Sequence, residues 1–290
     1  MRTIAAVSAP TVGLFAINSH SCSQPEAAVH VGQLAERLGY DSLWAGEHVV
    51  VPSPRVEPSP MEPDEPILDP LVALAHLAAH TERVRLGTGL IVLPQRNPLV
   101  LAKQAASLDV LSGGRLILGI GVGYLEPEMT AIGVPMEARG SRADEYVAAM
   151  RSLWQDDAPA YHGKYVDFEG VDAYPRPVQH PLPIVVGGHT ERAFLRAARH
   201  ADGWYGFMIG LRAMAQHRES LRAAIERTGR TEPLHISVSP SRQMDTETVR
   251  AYAELGVERL ILVPPIELDL DGVVEFVESN APERIGALPV

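Results

Sequence analysis

Cysteine is almost missing from this sequence. Cys22 is the single one among 290 residues. That excludes an internal disulfide and a zinc site built on thiolates, and it fits a reducing, cytoplasmic setting. Long apolar runs are missing too: no 18 consecutive apolar residues occur, so no helix is expected to span a membrane. Basic charge is scarce. Lys and Arg number 25 against 36 Asp and Glu, a formal net charge of −11, which argues against nucleic acid or an anionic membrane as partner. Metal-binding spacing is lacking as well, despite 11 histidines. There is no H-E-x-x-H, His20 has no H-x-H partner, and His76 and His80 are placed on an outer helix. No G-x-G-x-x-G follows the first predicted strand, which removes the main support for a doubly wound dinucleotide fold.

What is present is organised around VRLGTGLIVLPQRNPLVLAKQAASLDVLSGGRLILGIGVG, residues 84–123. Val84–Val92 is apolar and β-branched with Gly87 and Gly89, a strand buried on both faces. Asn97 is suited to cap the next helix, with Pro98 at its first position. Leu101, Ala105 and Leu108 then form one apolar stripe. Gly113-Gly114 ends the helix and Leu116–Ile120 is a second buried strand. Two buried strands joined by a helix make a parallel, right-handed unit.

The rest of the chain repeats that unit. Thr3–Ser8 reads as the first strand and Ala9–Gly13 as its turn. The competing reading, a short signal peptide built on Arg2 and the apolar run Ile4–Ile17, has a poor basic region and no clean cleavage site. Helix Glu26–Leu38, strand Tyr40–Gly46 and helix Asp69–Thr81 follow. Between the last two lies VVVPSPRVEPSPMEPDEP, a long proline-rich loop of the kind that forms lids; Pro52–Pro66 is expected to close over a bound ligand. Beyond the central unit come a loop with short helical pieces over Leu125–Glu137 and helix Arg139–Trp154. Residues 158–183 break the rhythm and read as an insertion, a short hairpin and an extended run shaping the pocket mouth. Strands Ile184–Gly187, Asp202–Gly206, His235–Ser239 and Arg259–Val263 alternate with helices Glu191–His200, Leu211–Thr228, Thr246–Leu255 and Leu270–Ser279. Eight such units predict a single α/β domain over 1–290, a (β/α)8 TIM barrel with insertions after strands two and four.

Sites in such barrels lie at the C-terminal strand ends. Strand two delivers Glu47-His48, a carboxylate and an imidazole suited to proton transfer near neutrality, or a surface pair. Strand three ends in Thr88-Gly89-Leu90-Ile91-Val92, where glycine permits a bulge or tight packing. Strand four ends in Gly119-Ile120-Gly121-Val122-Gly123-Tyr124, whose alternate glycines leave a wall that a flat ring could lie against. Strand five ends in Gly187-Gly188-His189-Thr190 before a helix. That is either a phosphate-binding turn or a tight connection.

Together YDSLWAGEH, the 84–124 stretch, RADEYVAAMRSLW, YHGKYVDF, PRPVQHPLPIVVGG and ARHADGWYGF resemble the bacterial luciferase-like family of flavin- and deazaflavin-dependent barrel oxidoreductases. The similarity spans most of residues 30–207. It is greatest to short single-chain members that use coenzyme F420. The resemblance implies that Glu47 and His48 sit at the reacting face of the ring. It implies a bulge with a non-prolyl cis peptide at Gly89-Leu90, beside Val92. It also implies a ring wall at Gly121, Val122, Gly123 and Tyr124, and a phosphate turn at Gly187, Gly188 and His189, helped by Gly206-Phe207. Two departures stand out. Tyr124 occupies the position of a catalytic glutamate in the sugar-phosphate dehydrogenase branch. The first strand runs IAAVSAP instead of the usual G-x-x-x-P opening.

The expected function is therefore F420-dependent hydride transfer to or from a small organic substrate. His48 would be the catalytic proton donor or acceptor, with Glu47 tuning its charge and orientation. An FMN-dependent monooxygenase is the alternative; a non-catalytic flavin-binding protein and a metal-dependent barrel hydrolase are further ones. Arg96, Arg139 and Arg142 are candidates for a basic rim favouring F420, though a solvated helix face explains them equally. By the same resemblance the chain is expected to form a homodimer.

Overall fold

The computed structural model describes residues 8–290. Among them, eight parallel strands close into a barrel: β1 (Thr11–Leu14), β2 (Ser42–Ala45), β3 (Arg85–Thr88), β4 (Leu116–Gly121), β5 (Ile184–Gly187), β6 (Gly203–Ile209), β7 (His235–Pro240) and β8 (Arg259–Leu262). Each strand pairs with the next in sequence, and β8 pairs back onto β1 in the register Thr11↔Arg259 through Leu14↔Leu262. The outer layer comprises α1 (Pro25–Arg37), α2 (Pro70–Ala78), α3 (Pro98–Leu111), α4 (Arg139–Gln155), α5 (Glu191–His200), α6 (Leu211–Thr228), α7 (Thr246–Glu254) and α8 (Leu270–Ser279). This is the (β/α)8 barrel that the alternating pattern predicts.

Two local starts follow the sequence rules closely. Asp69 Oδ1 accepts the Leu71 and Val72 amides at 2.9 and 3.1 Å, and Asn97 Oδ1 accepts those of Leu99 and Val100 at 3.0 and 3.2 Å. In both helices proline follows the cap, where its missing N–H costs nothing.

The first strand differs from expectation. Of the expected strand Thr3–Ser8, residues 3–7 lie outside the described residues. The segment read as its turn, Ala9–Gly13, contains the start of β1. The reason lies in the barrel's centre, where Trp44, Ile117, Val185, Tyr205 and Ile261 pack together with Phe15 and Leu90 against them. The Trp44 indole fills so much of that space that its neighbours on β1 and β3 are glycines. A Cβ on Gly13 would lie 2.9 Å from Trp44 Nε1, and one on Gly87 would lie 2.5 Å from Trp44 Cδ2. Gly13 is thus a strand residue making room, not a turn residue.

The strand expected over Val84–Val92 is also shorter. It stops at Thr88, the Gly89–Leu90 peptide is cis, and Ile91-Val92 resumes pairing with β4.

The insertion opens with the expected hairpin, Tyr161-His162 against Asp167-Phe168, which packs on the first turns of α4, where Glu145 accepts the Tyr165 amide at 2.7 Å. A segment joining a helix to the next strand returns to the barrel's N-terminal end, and the far end of this one is pinned there. Gln179 bonds Asp109 at the end of α3, the Leu116 carbonyl at the start of β4, and Arg85 at the start of β3.

The proline-rich loop is at the mouth, and its ends are fastened. Asn18 donates to the Gly46 and Leu68 carbonyls at 2.8 and 2.6 Å and accepts the Gly46 amide at 3.0 Å. Ser59 and Met61 within it are buried.

Gly87→Ala should therefore lower unfolding free energy by about 1–3 kcal/mol through overpacking. Trp44→Phe in the same chain should return part of it. Urea denaturation of the two variants checks this; a Gly87→Ala chain as stable as its parent would mean the centre has slack.

Candidate active site

Glu47 and His48 follow β2 in extended chain, where neighbouring side chains point to opposite sides. That alternation separates the pair. Glu47 turns into the protein with its side chain 1 % exposed. Its Oε2 accepts the Val92 amide at 2.5 Å, and its Oε1 takes Arg96 Nε at 2.9 Å and a second bond from the same guanidinium. Arg96 reaches on to Asp69 Oδ2 at 2.6 Å, so the residue capping α2 also belongs to the network. Burial holds the Glu47 carboxyl above the usual glutamate range, against the pull of Arg96 and the Val92 amide. Two cationic bonds and a main-chain N–H nonetheless fit a carboxylate acceptor.

His48 turns the other way, and its partner is Glu128. Nδ1 lies 3.0 Å from Glu128 Oε2, while Oε1 of that carboxylate accepts the Val49 amide at 2.7 Å. The Tyr124 ring meets the imidazole edge-on, centroids 6.1 Å apart. Burial and the nearby Glu128 raise the Tyr124 hydroxyl's pKa. The expectation that Glu47 tunes and orients His48 is thus corrected: Glu47 is committed to Val92 and Arg96. Sequence reasoning missed Glu128. It lies on a single short helix, Glu126–Ala131, inside a segment read as loop, and nothing but its distance of four residues from Tyr124 marks it.

The glycines of the neighbouring strand ends surround the side chain of Leu90, and Gly187 is the one it requires. A Cβ on Gly121 would come within 3.4 Å of Leu90 Cδ1, and one on Gly187 would collide with it. A Cβ on Gly119 would collide with the Thr88 carbonyl. The wall expected to face a flat ring is therefore partly filled by leucine. Gly123 is needed for its backbone, at φ +79°, and Val92 packs beside it.

Leu90, Gly121, Val122, Gly123, Tyr124, Gly187, Gly188 and His189 all line one cavity of about 990 Å³. It continues along α5 between that helix and the start of α4, reaching Arg199 and His200. Thr190 caps α5 by accepting the Ala193 amide at 3.3 Å, and the amides of His189 and Thr190 donate to no acceptor among the described residues. Such free donors at a helix start form an anion site. Gly188 has φ +119°, and its carbonyl accepts Trp204 Nε1 at 2.8 Å. Burial and the stacked His217, centroid distance 5.4 Å, lower the pKa of His189, so positive charge in the cavity comes from arginine.

Not every candidate joins this cavity. Phe207 lies elsewhere on the mouth, 5.3 Å from the Phe15 ring, and Gly206 makes room for Trp204 and Ile209. Of the three basic-rim candidates, Arg139 lines the cavity, bonded to the Gly123 and Met136 carbonyls at 3.1 and 2.8 Å. Arg96 is taken up by Glu47 and Asp69, and Arg142 stacks over Tyr165 at 4.8 Å. Arg192, Arg196 and Arg199 are cavity residues that the sequence did not single out. His76 on α2 and His80 in the turn just beyond it are exposed with rings 4.6 Å apart, on the outer layer as expected. No helix among the described residues is long and apolar enough to cross a membrane.

The profile of the luciferase-like monooxygenase family matches residues 10–263, and the chain belongs to that family. It is 32 % identical over 280 residues to an uncharacterized protein of Mycobacterium tuberculosis, covering 93 % of this chain and 96 % of that one. It is 34 % identical over 252 residues to an F420-dependent glucose-6-phosphate dehydrogenase of Kineococcus radiotolerans, covering 81 % and 71 %. Its fold superposes on monooxygenase RslO1 from Streptomyces bottropensis with TM-score 0.75 at 23 % identity, over 95 % and 98 % of the two chains. Relatives in the family include both F420-dependent and flavin-dependent enzymes.

Breaking a buried ion pair from one side strands the other charge, at about 3–5 kcal/mol. Arg96→Ala should cost that much at neutral pH and push Glu47's pKa further up. The folded chain then holds the Glu47 proton more tightly than the unfolded chain does. The variant's stability should accordingly be greater at acid pH and fall as pH rises through the raised value. Thermal unfolding across pH checks this; a pH profile parallel to the parent's would remove Glu47 as the group involved.

Proposed function

We propose that the chain is an F420-dependent oxidoreductase that moves a hydride between the deazaflavin and a small organic substrate. The observation that carries this reading is a surplus of guanidinium around an anion-binding turn. Four arginines line the cavity beside Gly187 and Gly188, and only Arg196 has a carboxylate partner among the described residues, Asp144 at 2.5 Å. Arg139, Arg192 and Arg199 remain for a ligand in a chain whose net charge is −11. FMN would bring one phosphate. F420 brings a phosphodiester and a run of carboxylates, which matches three cations without carboxylate partners, Arg192 and Arg199 on α5 and Arg139 at the start of α4, far better.

The residues present fit the group. The His189 and Thr190 amides with Arg139 and Arg192 would hold its phosphodiester, and Arg199 would meet the tail. Leu90 would support the ring and Gly121, Val122 and Gly123 would border it. When bound, the deazaflavin supplies the centre that gives or takes the hydride. The protein supplies orientation, exclusion of water and the proton. His48 holds or accepts that proton at the mouth, where it lies edge-on to Tyr124 with its side chain 13 % exposed. Glu47 acts at one remove, fastening the loop that carries Val92 and Arg96. Cys22 is free and buried, its thiol pushed up to about 11 by burial, so it adds no nucleophile to this chemistry.

Titration of apo-protein with oxidised F420 and FMN tests the cofactor. Trp204 donates to the Gly188 carbonyl and is one of three tryptophans, so its fluorescence reports on the turn. F420 should bind at about micromolar Kd with FMN at least about tenfold weaker. Arg192→Ala should weaken F420 by about tenfold, as loss of one charge-assisted bond does. Tight FMN binding would replace this reading with an FMN-dependent monooxygenase. His48→Asn should abolish turnover while leaving cofactor affinity within about threefold, since the loss falls on proton transfer. Parent-like turnover in that variant would take His48 out of the mechanism.

A further inference from the structure

An imidazole has two nitrogens, and only the one without the proton can accept one. For His48 the choice is made by Glu128. Its carboxylate, 2 % exposed, is held from two sides. The Val49 amide can only donate, and it donates to Oε1 at 2.7 Å. His48 Nδ1 faces Oε2 at 3.0 Å and could in principle play either part. An ionised carboxylate accepts only, so Nδ1 must be the donor. The lone pair then belongs to Nε2, which has no hydrogen-bond partner among the described residues. Tyr124, edge-on to the ring, limits its rotation.

We propose that Glu128 is a positioning residue that locks His48 in the Nδ1–H tautomer, leaving Nε2 as the nitrogen that exchanges protons at the barrel mouth. The inference rests on the reading in which His48 handles the proton of the reaction. The tautomer itself is a property of the apo-chain. With an ionised Glu128 the geometry fixes the assignment: the same carboxylate satisfies a main-chain amide and a ring nitrogen, and its burial leaves it no solvent alternative. Placing the proton on Nε2 instead would set two acceptors, Nδ1 and Oε2, against each other in a dry pocket, or require Glu128 to be protonated there.

The test uses 15N-imidazole spectra of the apo-protein at about pH 9, well above the ordinary histidine range. His48 is assigned among the 11 histidines by the signal lost in His48→Asn. The parent should show a protonated, pyrrole-type Nδ1 and a pyridine-type Nε2. In Glu128→Gln the amide oxygen keeps the Val49 N–H, which turns the NH2 toward Nδ1; the tautomer should invert to Nε2–H. A role limited to packing would not move the proton. A parent with Nε2–H overturns the proposal, as does a Glu128→Gln chain with its tautomer unchanged. If Glu128→Gln fails to fold, the parent spectrum alone decides. In the loaded enzyme Glu128→Gln should lower kcat at least about tenfold, the proton being on the wrong nitrogen, with cofactor affinity within about threefold. Parent-like kcat overturns the positioning role. The spectra need no cofactor, so a failed F420 titration and a failed tautomer assignment are separate results.

Discussion

The mouth of this barrel is built on one buried carboxylate. Glu47 takes the Val92 amide and the Arg96 guanidinium, and Arg96 in turn holds Asp69. Through those contacts the end of β2, the turn after β3 and the cap of α2 become one unit. The cost of burying a charge is met by three donors, the Val92 amide and two nitrogens of Arg96, all from the one segment that follows β3. Because Glu47 faces inward, chain alternation sends His48 to the opposite side, toward Glu128. The position of His48 is thus a consequence of a structural ion pair one residue away.

The same economy governs the barrel's centre. Trp44 occupies the space that β1 and β3 leave by carrying Gly13 and Gly87, and Leu90 occupies the space left by Gly187. A large side chain on one strand and missing side chains on its neighbours are two halves of a single packing solution. A glycine at a strand end here is first a matter of what stands opposite it. A ligand would meet the Leu90 side chain and the adjoining backbone together.

Charge is distributed with equal economy. Acidic residues dominate the chain, yet the cavity along α5 gathers arginines, and apolar side chains such as Val49 and Phe207 are exposed at the mouth. At the other end of the barrel, Gln179 ties α3 to the starts of β3 and β4.

Local physics made much of this protein legible in its sequence. Eight apolar strand segments alternating with helices, the Asp69 and Asn97 caps with their following prolines, and the hairpin near Tyr161 all depend on residues close together in the chain. The resemblance around 84–123 and 187–188 likewise marked the turns that meet in the cavity. What the sequence could not decide were partnerships across the fold. Gly13 looks like a turn residue until Trp44 is seen beside it. Glu47 looks like the natural partner of the adjacent His48, yet extended backbone points them apart. Glu128, eighty residues away, is brought to the imidazole only by closure of β4 against its neighbours. Arg192 and Arg199 become cavity residues only because α5 packs next to the start of α4. Short-range preferences act through the chain's own covalent geometry and are written in order along it. The choice of partner for a buried charge or a large side chain is settled by whatever the closed barrel places within reach.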